Sequence, residues 1–288
     1  MTTEVKIVEC PRDAMQGIVE WIPTESKIRY INHLLTMGFD TLDMGSFVSP
    51  KAIPQMRDTA EVIRGLNLKS AKSRLLCIVA NMKGAQQAVE FDEIAYLGFP
   101  MSVSETFQLR NTNSGLEKGF SDLIEIHKLA SAKKKSVVVY LSMGFGNPYG
   151  DPWSPDLLMQ WSSRIFQEMG DVTIALSDTI GCATDEVLNA SFKNLIKEFP
   201  EAEFGAHLHV HPNDAQQKFM TAWNAGCRRF DGALKGLGGC PMASDKLTGN
   251  MPTEIMLKAL KSIGIDHGID DAMTDQGIAL LQTIPGLH

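Results

Sequence analysis

Eight short runs rich in apolar and β-branched residues recur along the chain: Val5–Cys10, Thr41–Gly45, Arg74–Ala80, Ile94–Gly98, Ser136–Ser142, Val172–Ser177, Phe204–Val210 and Arg228–Ala233. Helical patterns separate most of them, so the runs do not follow one another as hairpins would. Strands alternating with helices form right-handed βαβ units and a parallel sheet. Eight such units within 288 residues predict an α/β fold that closes on itself, a single (β/α)₈ (TIM) barrel with residues 1–288 as one domain.

The helices between the runs have readable ends. Ser26–Met37 places Ile28, Ile31, Leu34 and Leu35 at helical spacing, and Gly38 stops it. Ser154 and Pro155 are suited to N-cap and first helical position of Asp156–Met169, which Gly170 closes. Thr184 is placed to cap Asp185–Phe199, Asp214–Ala225 ends at Gly226, and Pro252–Ile263 ends at Gly264. Between the third and fourth strands only Asn81–Glu93 is available, and Met82–Phe91 just accommodates a helix. The tail, Asp270–Thr283, reads as an extra C-terminal helix carrying Ile278, Leu280 and Leu281.

Composition narrows the function classes. The net charge is −7 with both signs mixed along the chain, whereas nucleic-acid binders cluster Lys and Arg. The short run Lys133-Lys134-Lys135 is expected in a solvated loop. Cys10, Cys77, Cys182, Cys227 and Cys240 are odd in number and contain no Cys-x-x-Cys. We therefore expect no disulfide framework and a reducing, cytoplasmic setting, with the first four cysteines structural. No leader is expected before Val5–Cys10, and no apolar stretch approaches the roughly 20 residues that a bilayer requires.

In such barrels chemistry gathers at the C-terminal ends of the strands. There the chain places Arg12, Asp13 and Gln16 after the first strand, Asp43 and Ser46 at the second, and Ser104, Glu105 and Arg110 after the fourth. Asp178 and Thr179 end the sixth, and His207, His209 and His211 lie on or just after the seventh. Gly236 to Pro241, containing Cys240, follow the eighth, with Asn250 beyond. Residues two apart on a strand share a face, so His207 and His209 converge as a metal pair requires; hydrogen-bonded core histidines are the alternative. With the acid Asp13 and an amide oxygen they make a mixed N/O set suited to Mg²⁺ or Mn²⁺. Zinc is the rival, since two histidines and a carboxylate also describe catalytic zinc sites. Arg12 is either the partner of a buried carboxylate or a donor to a developing oxyanion. Cys240, among glycines, is either a proton donor on a closing loop or an inert thiol.

Several of these segments resemble the 3-hydroxy-3-methylglutaryl-CoA lyases. These belong to the DRE-TIM metallolyases, whose barrels are pyruvate-carboxyltransferase-like and include the isopropylmalate and homocitrate synthases. Pro11-Arg12-Asp13-Ala14-Met15-Gln16 is similar to the family's Pro-Arg-Asp-Gly-Leu-Gln. Ser46 to Lys51 with Pro54-Gln55-Met56, Ser177 to Gly181, His207-Leu208-His209, and Gly236 to Pro241 with Gly249-Asn250 match further segments. The cysteine loop is the most specific, because the synthases generally carry a glutamate in that region. The resemblance implies Asp13, His207, His209 and Asn250 as ligands of Mg²⁺ or Mn²⁺, and Arg12, Asp43, His207 and Cys240 as catalytic. Gln16, Ser46, Ser104, Asp178 and Thr179 would join Arg12 around substrate, with Glu254 as a further acid. The implied reaction is retro-Claisen cleavage: a tertiary alkoxide collapses to a ketone, an acetyl-CoA enolate leaves, Arg12 steadies its oxygen and Cys240 protonates it. The substrate would be an acyl-CoA, the setting leucine degradation and ketone-body formation, and the assembly a homodimer using the C-terminal helix.

The chain departs from the pattern at Ala14, Met15, Val19, Val210-His211, Met242 and Leu247. These positions leave open a longer 3-hydroxy-3-alkylglutaryl-CoA as substrate. A condensing synthase and a non-catalytic acyl-CoA-binding barrel are the remaining rivals.

Overall fold

The computed structural model describes residues 4–69, 71–239 and 248–286. Its first half runs β1 (Lys6–Glu9), α1 (Pro11–Gln16), α2 (Thr24–Met37), β2 (Thr41–Ser46), α3 (Thr59–Arg64), β3 (Arg74–Ile78) and α4 (Met82–Ala88). Then come β4 (Ile94–Ser102), α5 (Glu105–Thr112), α6 (Leu116–Ala132), β5 (Ser136–Ser142), α7 (Pro155–Met169) and β6 (Thr173–Asp178). The remainder is α8 (Asp185–Glu198), β7 (Glu203–Val210), α9 (Ala215–Asn224), β8 (Arg229–Gly232), β9 (Gly249–Asn250), α10 (Thr253–Ser262) and α11 (Asp271–Leu281).

Strands β1 to β8 pair in parallel, each with its neighbours in sequence. β8 returns to β1 and β6 meets β7, so the sheet closes. The eight expected runs are the eight barrel strands, and Ser154 and Thr184 cap α7 and α8 through their side chains as predicted. Most apolar side chains pack between the sheet and the surrounding helices. A smaller group, Leu76, Ile78, Val138, Tyr140 and Ala175, packs separately. These residues alternate with outward-facing neighbours and fill the barrel's interior. Gly205 on β7 has no side chain where an added Cβ would lie 2.9 Å from the Arg229 guanidinium, so β7 leaves room for a buried arginine.

The structure corrects several expectations. β4 continues to Ser102, four residues past the predicted end, because its outer residues pair with β5 as far as Ser142. The helix expected over Met82–Phe91 stops at Ala88. The helices α3, α5 and α6 were not read from the sequence, nor was the single turn α1. Lys135 is buried rather than solvated, and its Nζ donates to the carbonyls of Phe91 (2.6 Å) and Ile94 (2.7 Å). The ammonium thus satisfies two carbonyls at the start of β4, each charge-assisted bond contributing about 1.5–3 kcal/mol. Cys182 is exposed, with Sγ 3.5 Å from the carbonyl of Phe145, whereas Cys10, Cys77 and Cys227 are buried as expected. No helix among the described residues is long and apolar enough to cross a membrane.

Candidate active site and metal centre

Pro11 begins α1 one residue after β1, and this one short helix swings Arg12 and Asp13 over the barrel mouth. The alanine at position 14 is accommodated because it lies inside that helix, its N–H bonded to the carbonyl of Cys10. Opposite, β7 presents His207 and His209 on one face. The Nδ1 of His209 lies 2.8 Å from the carbonyl of Thr179. A carbonyl only accepts, so the proton sits on Nδ1 and a lone pair remains at Nε2. That Nε2 is buried without a hydrogen-bond partner among the described residues. It lies 3.8 Å from Asp13 Oδ2, which is 3.9 Å from His207 Nε2. One donor atom from each of the three residues falls within 4.8 Å of the others. A buried acceptor without a donor is costly, and a divalent cation among the three removes that cost. His207 and His209 are oriented through their other nitrogens by Asp231 (3.2 Å) and Thr179, the outer-shell arrangement that metal-binding histidines use. The donor set therefore fits a metal.

Arg12 compensates the acids. Its Nε reaches Asp43 Oδ1 and Oδ2 at 3.2 and 3.1 Å, its second terminal nitrogen also bonds Asp43, and the first donates to Asp13 Oδ1 at 2.9 Å. A guanidinium has five N–H donors; three are engaged here, which leaves two for another oxygen. Burial alone would raise the Asp13 carboxyl, but Arg12 first, then His209 and His207, hold it below the ordinary carboxylate range. Gln16 also donates to Asp13.

Asn250 arrives by a feature absent from the sequence reading: β9 pairs antiparallel with β7, setting Asn250 opposite His209. Its amide nitrogen donates to the carbonyl of Leu237 at 2.7 Å, which leaves the oxygen free of that bond. Other expected site residues also hydrogen-bond within the chain. Ser104 Oγ caps α5 and bonds Asp151. Asp178 accepts from the backbone N–H groups of Cys182 and Ala183, and Thr179 Oγ1 from that of Met143. Ser46 Oγ accepts from Val48 N–H. Glu254 accepts from the backbone of Lys235, a residue at φ 63°. His211 accepts from Asn213 N–H and stays outside the metal cluster. Cys10 lies near His207 and Asp231, yet burial pushes its thiol up and keeps it neutral. Cys240, Met242 and Leu247 lie outside the described residues.

Sequence reasoning missed two buried acids. Asp231 joins His207 to Arg229, whose guanidinium lies 2.8 Å away. Glu9, fully buried at the end of β1, accepts from Leu234 N–H (2.8 Å) and Thr253 Oγ1 (2.5 Å). These two partners bracket the loop that carries Cys240, so Glu9 ties both ends of that loop to β1. Burial, outweighing those hydrogen bonds, pushes its carboxyl up to about 8. The available signal was an acid flanked by Val8 and Cys10 at the end of the first strand.

The HMGL-like family model matches residues 4–276. The chain belongs to the HMGL-like family. It is 34% identical over 271 residues to the cytoplasmic 3-hydroxy-3-methylglutaryl-CoA lyase of Rattus norvegicus, covering 92% of this chain and 77% of that one. The mitochondrial hydroxymethylglutaryl-CoA lyase of Bos taurus is also 34% identical, covering 93% and 81%. Among solved structures, an HMG-CoA lyase from A. baumannii in complex with coenzyme A and 3-methylmalate superimposes with a TM-score of 0.87 at 32% identity, covering 100% of this chain and 93% of that one. Cytoplasmic and mitochondrial members thus stand equally near, so they do not fix a compartment.

Two outcomes are expected of this family member. Mn²⁺ at about 100 times its Kd should stabilise the wild type by roughly 2.7 kcal/mol, while His209→Ala should stay folded and gain no such increment. An equal gain in both would place the ion elsewhere. The second concerns Glu9. Between its unfolded pKa of about 4.3 and its folded value of about 8, the unfolded chain releases the proton and the folded chain keeps it. Its contribution is therefore complete below that window and is lost as pH rises through it. Denaturant titrations should show wild type losing stability from pH 5 to 8 relative to Glu9→Gln; parallel curves would mean that Glu9 is ionised in the fold.

Proposed function

We propose that this chain is a divalent-metal-dependent carbon–carbon lyase that cleaves 3-hydroxy-3-methylglutaryl-CoA to acetoacetate and acetyl-CoA. One observation carries the reading. Among the described residues, a buried His209 Nε2 without a hydrogen-bond partner faces Asp13 and His207, beside an arginine with N–H donors to spare. A cation held by Asp13, His207 and His209, with Asn250 as fourth ligand, would act as Lewis acid and template toward the substrate's oxygens. We take it to be Mg²⁺ or Mn²⁺, with zinc the rival.

The chain's own residues supply the rest. Asp43 clamps Arg12 in place, so its free N–H groups are already aimed when charge develops on the thioester oxygen; such preorganisation is the main gain of an oxyanion site. Transfer of the tertiary hydroxyl's proton to His207 lets the carbon–carbon bond break toward the thioester, the bonding pair becoming the enolate, and Cys240 gives the enolate carbon its proton. Asp231 orients His207 for that transfer, and Thr179 orients His209. Related lyases stand at 34% identity, which favours cleavage over the condensing-synthase reading. The odd cysteine count supports a reducing cytosol. Leucine breakdown and ketone-body formation are the setting proposed. For a homodimer, α11 offers Asp275, Gln276 and Ala279 outward.

A panel of acyl-CoA esters, assayed with and without each metal, tests this. The wild type should cleave the 3-methyl ester best and only with metal. Arg12→Gln should keep its metal and lose about 10²–10³-fold in kcat, the usual cost of one oxyanion donor. Cys240→Ser should also bind metal yet cleave slowly. Preferred cleavage of a longer 3-alkyl ester would transfer the activity to that substrate, and cleavage by metal-free enzyme would sink the mechanism.

A further inference from the structure

Beside the metal centre, on the same rim, the loops after β2 and β3 enclose a cleft of ≈ 280 Å³ lined by Ser46, Phe47, Ser49, Arg57, Asn81 and Lys83 among others. Ser46, which ends the strand that carries Asp43, is the residue by which the cleft adjoins that strand's end. Two cations border it. Among the described residues neither Arg57 nor Lys83 has an ion-pair partner. The adjacent acid Asp58 is committed to Lys27 at 2.8 Å, and Glu90 beyond α4 faces Lys133.

Arg57 is nevertheless held. Its guanidinium carbon lies over Trp21, 3.8 Å from the ring centroid, and the Lys27 ammonium lies 4.0 Å from the same ring. Stacking engages the face of a guanidinium and leaves its N–H edge available. Lys83 is brought close by Gly84, where an added Cβ would lie 2.6 Å from the carbonyl of Phe47; only glycine lets α4 press against the β2 loop. The side chain of Asn81 fixes that approach by accepting from Gly84 N–H at 2.9 Å. The cleft thus has a preset guanidinium, an ammonium and hydroxyls, and among the described residues no carboxylate lines it.

We infer that Arg57, stacked on Trp21, and Lys83 form a phosphate subsite that takes the nucleotide end of the acyl-CoA. This rests on the lyase reading, which requires a polyanionic thioester beside Asp43. A planar guanidinium matches phosphate oxygens two at a time, and an ammonium adds a point charge. The volume suits a phosphate with part of its sugar.

The test compares two thioesters of one acyl group, on CoA and on pantetheine, which lacks the phosphates beyond the pantetheine arm. Arg57→Ala and Lys83→Ala should each lower the ratio of kcat/KM for the CoA ester to that for the pantetheine ester by roughly tenfold, as a charge-assisted hydrogen bond implies. Calorimetry with free CoA should show a matching loss. An unchanged ratio, with both esters impaired alike, would make the residues structural and overturn the subsite. Wild type that binds CoA through these residues yet cleaves no ester would overturn the lyase reading alone. Wild type that binds no CoA would overturn both.

Discussion

A carboxylate buried at the mouth of the barrel governs the arrangement of everything near it. Asp13 is held there by a helix of six residues that begins one residue after β1, and a charge taken out of water must be matched or neutralised. Arg12 and Gln16 match one of its oxygens from the same helix. The other faces two imidazoles. Arg12 in turn needs Asp43, and His207 needs Asp231, which needs Arg229. The chain of alternating charges thus runs from the rim into the barrel, and removal of one member strands the next.

Much of this was legible because two periodicities are strict. The two-residue repeat of a strand put His207 and His209 on one face, and the alternation of strand and helix implied closure. What the sequence did not reveal depends on contacts between distant segments. Asn250 meets His209 only because two residues form a strand beside β7, too short a run for any pattern. Lys135 looked like the end of a solvated basic run, yet its stem is buried and its charge ends on two carbonyls more than 40 residues away in sequence.

The polar residues at the rim divide in a way that residue type does not predict. Ser104, Asp178 and Thr179 are as polar as Arg12, but each already makes hydrogen bonds to nearby backbone or side chains. A serine or aspartate after a strand is equally a binding group and a turn-former, and local backbone N–H groups compete for it. Arginine has too many donors for one local partner, and for that reason it keeps some for a ligand.

Glu9 has one more consequence. Because Leu234 and Thr253 are both fastened to β1, the segment between them behaves as a loop with clamped ends. Closing such a loop costs only about 0.6 kcal/mol for each doubling of its length. A change of length between the clamps therefore alters the closure cost little, whereas Asn250 and the buried Met251 within the segment remain fixed by their pairing and packing. Variation of length between the clamps is thereby separated from the position of Asn250, which β7 holds opposite His209.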